Sequence, residues 1–216
     1  KIMISSQKVN GNKGLSGMKS RYKWSDKYLI LFCGLPGTGK STIAKRLSAH
    51  LKDYMIIDQN EVRRAHGYRK MPKTFDPVLR EIDRLAARLL CSGKGVIFDS
   101  VNRCNSRRQQ MYGVASCSSA RVITLEVVCS EDTAKKRMSG RPAGDGLLSD
   151  PNDPKVYDRL KVDFDPVDMD FIHPGQDHVS YVQFDSETNT LVVKILAQGT
   201  KKFINRVKKI LAAGNA

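Results

Sequence analysis

Apolar residues fall along this chain in two alternating rhythms. One is a short unbroken run, seen at Tyr28–Cys33, Tyr54–Ile57, Val96–Phe98, Val122–Val128 and Val179–Phe184. Runs of this length predict strands buried on both faces of a parallel sheet. The other is a helical stripe. Ile43, Ala44, Leu47 and Leu51 recur at helical spacing within Lys40–Leu51, and Val78, Leu79, Ile82, Leu85, Leu89 and Leu90 crowd one face of Pro77–Cys91. Further helices are predicted from Glu61 onward and over Asn105–Ala115, Glu131–Met138 (capped by Ser130), Pro154–Val162 and Phe203–Leu211. Leu191–Ile195 continues the last strand as a hairpin. Strand and helix alternate without an internal repeat, so the expected fold is α/β, a parallel sheet with helices on both faces.

Two segments lack either rhythm. The first 26 residues are rich in Gly, Ser, Asn and Lys, and residues 1–27 read as a basic flexible arm before a domain over 28–216. Ser139–Pro154 reads as a mobile loop. A chain of 216 residues suits one domain better than two. No stretch is long and apolar enough for a bilayer, and Lys1–Asp26 lacks the apolar core of a secretory signal. Cys33, Cys91, Cys104, Cys117 and Cys129 are scattered, without a C-x-x-C pair or a His at ligand spacing. They read as reduced, mostly packing residues of a cytoplasmic or at least intracellular protein.

Chemistry concentrates after the first strand. Gly34-Leu35-Pro36-Gly37-Thr38-Gly39-Lys40-Ser41 fits G-x-x-x-x-G-K-[ST], and Thr42 comes next on the helix. Glycines let successive N–H groups turn toward phosphate oxygens, and the helix N-terminus adds its dipole. Lys40 is expected at the β- and γ-phosphates, and Ser41 on Mg²⁺. A plain strand-to-helix turn is the bland alternative, and the full motif between a buried strand and an amphipathic helix outweighs it. Asp99 ends the third strand, where a carboxylate either holds the Mg²⁺ shell or caps the next turn of chain. Arg137 and Arg141, four apart, share a helical face if the helix extends that far. There they would either neutralise a phosphoryl group in transfer or lie on a solvated face with Lys135 and Lys136.

Charge then widens the choice of partner. The formal net charge is +15 and the pI near 9.7. Lys1, Lys8, Lys13, Lys19, Arg21, Lys23 and Lys27 face only Asp26, and Lys201, Lys202, Arg206, Lys208 and Lys209 crowd the C-terminus. Such an excess fits nucleic acid, and a triphosphate site also needs positive charge.

GLPGTGKST, QNEVRR, VIFDSVN, RMSGR and SDPNDPKVYDRL, in this order and spacing, resemble a group of P-loop kinases. The group includes polynucleotide 5′-kinases, seryl-tRNA(Sec)-type kinases and zeta-toxin-like kinases, and the resemblance spans about 29–211. It implies a P-loop NTPase fold of adenylate-kinase type, with a five-stranded parallel sheet and an arginine-bearing lid over about 137–154. It implies ATP and Mg²⁺ as cofactors and Arg137 and Arg141 as lid arginines. It further implies Asp99 and Asn102 over the substrate cleft, and Arg63 on the acceptor. The group's D-x-x-R after strand two becomes Asn60-x-x-Arg63 here, and an amide is no base at neutral pH. Asp58, two residues earlier, is the preferred substitute, with helix capping as its equal alternative. Glu61, paired in spacing with Arg64, is the other candidate.

The remaining aromatic and imidazole residues carry less. His50, His66, His173 and His178 read as structural or exposed, Trp24 as an anchor for the arm, and Tyr112 and Tyr157 as packing. The expected function is transfer of the ATP γ-phosphate to a hydroxyl, first on a nucleic-acid 5′-end or an RNA-linked group. A small-molecule acceptor (sugar, nucleoside or antibiotic) is second, and a nucleotide-binding ATPase or adaptor without acceptor chemistry is third.

Overall fold

Four of the five predicted runs become strands that are buried along most of their length, for an energetic reason. Burying one Leu, Ile or Phe side chain is worth about 1.5–3 kcal/mol, against a spread of about 1 kcal/mol for strand propensity. The fifth run, Tyr54–Ile57, falls in a strand (Tyr54–Asp58) that is buried only in part and lies at an edge. The computed structural model describes residues 24–67, 76–141, 152–172 and 175–213. In it β1 (Tyr28–Cys33), β2 (Tyr54–Asp58), β3 (Gly95–Asp99), β4 (Arg121–Val128), β5 (Val179–Asp185) and β6 (Thr190–Ile195) form one sheet in the order β2-β3-β1-β4-β5-β6. The first five strands run parallel, as expected. The hairpin adds β6 antiparallel to β5, so the sheet has six strands where the resemblance implied five. Asp185 Oδ1 accepts from the N–H groups of Glu187 (2.8 Å) and Thr188 (3.2 Å), an Asx turn that reverses the chain there.

The helices are α1 (Lys40–His50), α2 (Gln59–Ala65), α3 (Asp76–Cys91), α4 (Asn105–Cys117), α5 (Glu131–Ser139), α6 (Lys155–Val162) and α7 (Lys201–Ala212). Ile43, Leu47, Phe203 and Val207 of α1 and α7 pack on one sheet face, while Val78, Ile82, Met111 and Tyr112 of α3 and α4 pack on the other. Chain order climbs from β1 to β2 on one side, returns through β3, and then crosses to β4 and β5. The strand order therefore reverses beside β1, the place where open α/β sheets bind ligands at the strands' C-terminal ends.

Several expectations change. Helix α2 starts at Gln59 rather than Glu61, because Asp58 caps it by accepting from Asn60 N–H at 2.7 Å. Only Cys33 is buried. Cys91 and Cys117 are exposed at helix ends beyond the apolar stripes, so the five cysteines, all free thiols, are not mostly packing residues. A 3₁₀ segment, Val167–Phe171, had no sequence signal of its own. Trp24 stacks on the buried His178 ring at 5.1 Å and so ties the start of the domain to β5. Residues 1–23 of the arm, residues 142–151 of the lid and His173 lie outside the described residues. Among the described residues no helix is long and apolar enough to cross a membrane, and no three His, Cys, Asp or Glu side chains cluster as a metal site.

Candidate functional site

The loop between β1 and α1 is shaped by its glycines. Gly34 has φ 133° and Gly37 φ 80°. A Cβ at Gly34 would fall on the Val127 carbonyl, and one at Gly37 on the Ala134 carbonyl. Both positions thus exclude side chains on two counts, conformation and space. Gly34 N–H donates to Val101 O at 3.2 Å, joining the turns after β1 and β3. Within the loop the Leu35 carbonyl accepts from Lys40 Nζ at 2.7 Å and from Thr38 Oγ1 at 2.9 Å. The Lys40 ammonium is therefore held inside the curl of the loop. Burial depresses its pKa to about 8, opposed by Asp99 and reinforced by the positive charge of Arg141. Pro36 and Gly39 complete the curl, and Ser41 and Thr42 stand exposed on the first turn of α1.

Asp99 and Asp58 end their strands side by side, paired in the parallel register of β3 and β2. Asp99 is buried and accepts the Ser41 hydroxyl. Burial raises its pKa and the Asp58 charge adds to the rise, while Ser41 and Lys40 oppose it. Hydroxyl and carboxylate together are hard oxygen donors of the kind Mg²⁺ takes, so these two residues fit that ion.

Helix α2 presents two pairs. Arg63, buried, donates from Nη1 to Asn60 Oδ1 at 3.0 Å, so the amide at the family's Asp position is bonded to the family's Arg. Glu61 and Arg64 pair with each other at 2.5 Å on the exposed side. Gln59, which sequence reasoning missed, accepts from Ser100 Oγ at 2.6 Å and ties α2 to the residue after Asp99.

Asn102, expected over the substrate cleft, has a left-handed backbone (φ 44°), and its Nδ2 donates to Phe32 O at 2.7 Å. Through that bond it holds the end of β1, two residues before Gly34. The left-handed turn needs a residue such as Asn. Behind it lies a buried network with no sequence motif to announce it. Arg108 meets Asp170 through Nε and Nη2, both at 2.6 Å, and donates from Nη1 to the carbonyls of Asn102 (3.0 Å) and Arg103 (3.1 Å). Tyr112, expected only to pack, donates to Asp170 at 2.8 Å and bonds Thr124.

Arg137 and Arg141 do not share a helical face. Helix α5 ends at Ser139 with Gly140 as its cap, so Arg141 lies beyond it. Arg137 Nη1 donates to Ser186 Oγ at 2.8 Å, beside Gly39. The N-terminus of α5 is held by Glu187, which accepts from Ser130 N–H at 2.6 Å and from the Thr133 hydroxyl. Neighbouring loops after β1, β4 and β5 thereby set Arg137 against the P-loop.

Comparison with known proteins accords with this geometry. A sugar kinase from Janibacter sp. HTCC2649 is 16% identical, with a TM-score of 0.55, 87% of this chain and 96% of that one being covered. Kti12 of Chaetomium thermophilum, solved with ADP-AlF3, is 20% identical, with a TM-score of 0.54 and coverage of 86% and 96%. The Mycobacterium tuberculosis APS kinase CysC, solved with AMPPNP and APS, is 13% identical, with a TM-score of 0.54 and coverage of 87% and 99%. These likenesses establish a P-loop kinase-like fold. No curated protein matches in sequence. The family model described as AAA domain matches residues 29–161, more than half of the chain, and the chain belongs to that family.

Proposed function

We propose that the protein is an ATP-dependent phosphotransferase whose acceptor is a hydroxyl on nucleic acid, a 5′-end or another RNA-linked group. The observation that carries the phosphotransfer reading is the convergence of the buried Lys40, Asp99 with its Ser41 partner, and Asp58 at one edge of the sheet. The acceptor reading rests on the charge of +15. ATP phosphates lie along the N–H groups of Gly34–Thr42, with the Lys40 ammonium on the β- and γ-phosphates. Ser41 and Asp99 would hold Mg²⁺, which would neutralise phosphate charge when bound. The acceptor oxygen forms a bond to the γ-phosphorus as the bond to the β–γ bridging oxygen breaks, and ADP leaves. Asp58 takes the hydroxyl proton: one of its oxygens accepts the Asn60 N–H and the other is left for the acceptor. Arg63 and Asn60 position the acceptor as a bonded pair, and Arg137 and Arg141 offset charge on the transferring group.

The bond between Asn60 and Arg63 favours a second reading, in which nucleotide is bound and hydrolysed without transfer. Incubation with γ-labelled ATP and 5′-hydroxyl RNA or DNA oligonucleotides, with Lys40→Ala as the blank, separates the two. Label on the oligonucleotide that Lys40→Ala abolishes supports transfer. Release of labelled phosphate alone supports the second reading.

A further inference from the structure

Helices α1 and α7 lie against the same sheet face and carry no acidic residue. Their mutual arrangement is set by arginines. Arg46 of α1 donates to the Leu211 carbonyl at the end of α7 (3.3 Å), and Arg206 of α7 donates to the His50 carbonyl at the end of α1 (3.2 Å). Each helix thus receives a cation at its C-terminus, where the backbone carbonyls lack partners.

This leaves the outer face of α7 to lysine. Phe203, Ile204, Val207, Ile210 and Leu211 point into the core, so Lys201, Lys202, Lys208 and Lys209 fall together on the exposed side. Among the described residues none of the four lies in an ion pair. Helix α4 provides the contrast. It too lacks acids, yet its Arg107 and Arg108 are matched to Asp83 and Asp170. Exposed cations outside any ion pair also occur elsewhere among the described residues, Arg80, Arg88, Lys155 and Lys194 included, but α7 carries four of them along one helix face.

We infer that the outer face of α7 is a docking surface for the phosphate backbone of single-stranded nucleic acid. Charge complementarity identifies the occupant. An anionic membrane would want apolar side chains to insert among the cations, and the exposed large apolar residues (Met55, Val162, Met169, Ile172, Val192, Val193 and Leu196) all lie on other elements. The inference deepens the acceptor reading, but it concerns binding and stands or falls apart from transfer.

The test is fluorescence anisotropy of a labelled 5′-hydroxyl RNA oligonucleotide against the full chain over a series of KCl concentrations. A variant carrying Lys201→Gln, Lys202→Gln, Lys208→Gln and Lys209→Gln is compared with one that loses equal charge elsewhere, through Arg80→Gln, Arg88→Gln, Lys155→Gln and Lys194→Gln. All eight residues are exposed, and a thermal melt confirms that both variants fold. The α7 variant is expected to lose at least about tenfold in affinity at about 0.1 M salt, and its salt slope to fall by about 2–3, since each phosphate contact contributes about 0.7 on single strands. The control should change less than about threefold. Equal losses in both variants would reduce the effect to net charge and overturn the inference, as would no loss in the α7 variant. Loss of binding to phosphatidylserine vesicles with RNA binding intact would overturn it in favour of a membrane. RNA binding through α7 by a protein that never labels RNA would leave the inference standing and remove the acceptor reading instead.

Discussion

Asp58 and Asp99 occupy matched positions in the parallel register of β2 and β3, each the last residue of its strand. Two carboxylates so placed repel, and the one that is more buried bears the cost: Asp99 is raised by burial first and by Asp58 in addition. A fold tolerates such an arrangement when a cation comes to it, here Lys40, whose charge opposes the rise.

Asp99→Asn separates function from stability. The folded Asp99 binds its proton more tightly than the unfolded one, so this residue costs stability as pH rises from its ordinary value of 3.8 through the raised one. The amide removes that cost. Chemical denaturation should show the variant equal to or above wild type near neutral pH, with the difference shrinking in acid. Its Mg²⁺-dependent ATP affinity should fall at least about tenfold in calorimetric titration.

Lys40 gives a pH signature on the basic side. With a pKa of about 8 in the folded protein, the ammonium is lost above that pH, and triphosphate binding must then restore a proton. ATP affinity should weaken above pH 8 by up to about tenfold per pH unit. Lys40→Arg should abolish this dependence whatever affinity it retains. The same shift has the opposite sign for stability, which rises as pH passes from about 8 toward 10.5 because the unfolded chain there binds more protons.

Gly37→Ala should fail at the loop itself. A methyl group would meet the Ala134 carbonyl in a conformation (φ 80°) that alanine avoids. Strain of this kind costs about 1–3 kcal/mol. A lowered denaturation midpoint together with undetectable ATP binding is expected, and the outcome is read by urea titration and by calorimetry on the same preparation.

Asp170→Ala removes the partner of a guanidinium that has no contact with water. Leaving such a charge unpaired costs about 3–5 kcal/mol, while Arg108→Met with Asp170→Leu should recover much of that loss. The urea midpoints of the single and double variants check this. Because Arg108 also holds the Asn102 and Arg103 carbonyls, the double variant should still bind ATP more weakly than wild type.

Periodicity and motif decided how much of the molecule was legible in the sequence. The strands β1 and β4 were legible because their apolar runs have no other use, and Gly34–Ser41 because its spacing answers to one geometry. Arg108 and Asp170 were not legible: 62 positions apart, they are ordinary polar residues until the 3₁₀ segment packs on α4. The bond from the Asn102 amide back to Phe32 O was not legible either, since no pattern in one chain reveals it. The shared face expected of Arg137 and Arg141 depended on where α5 stops, and it stops at Ser139, two residues before Arg141.

Transfer and hydrolysis of the γ-phosphate leave the label in different products. The most direct measurement is the partition of label from γ-labelled ATP between a 5′-hydroxyl RNA oligonucleotide and free phosphate, in wild type and in Asn60→Asp, which restores a carboxylate beside Arg63. Labelled RNA should exceed the Lys40→Ala blank in wild type and rise further in Asn60→Asp. Free phosphate alone in both proteins, with ATP bound normally, would contradict the account.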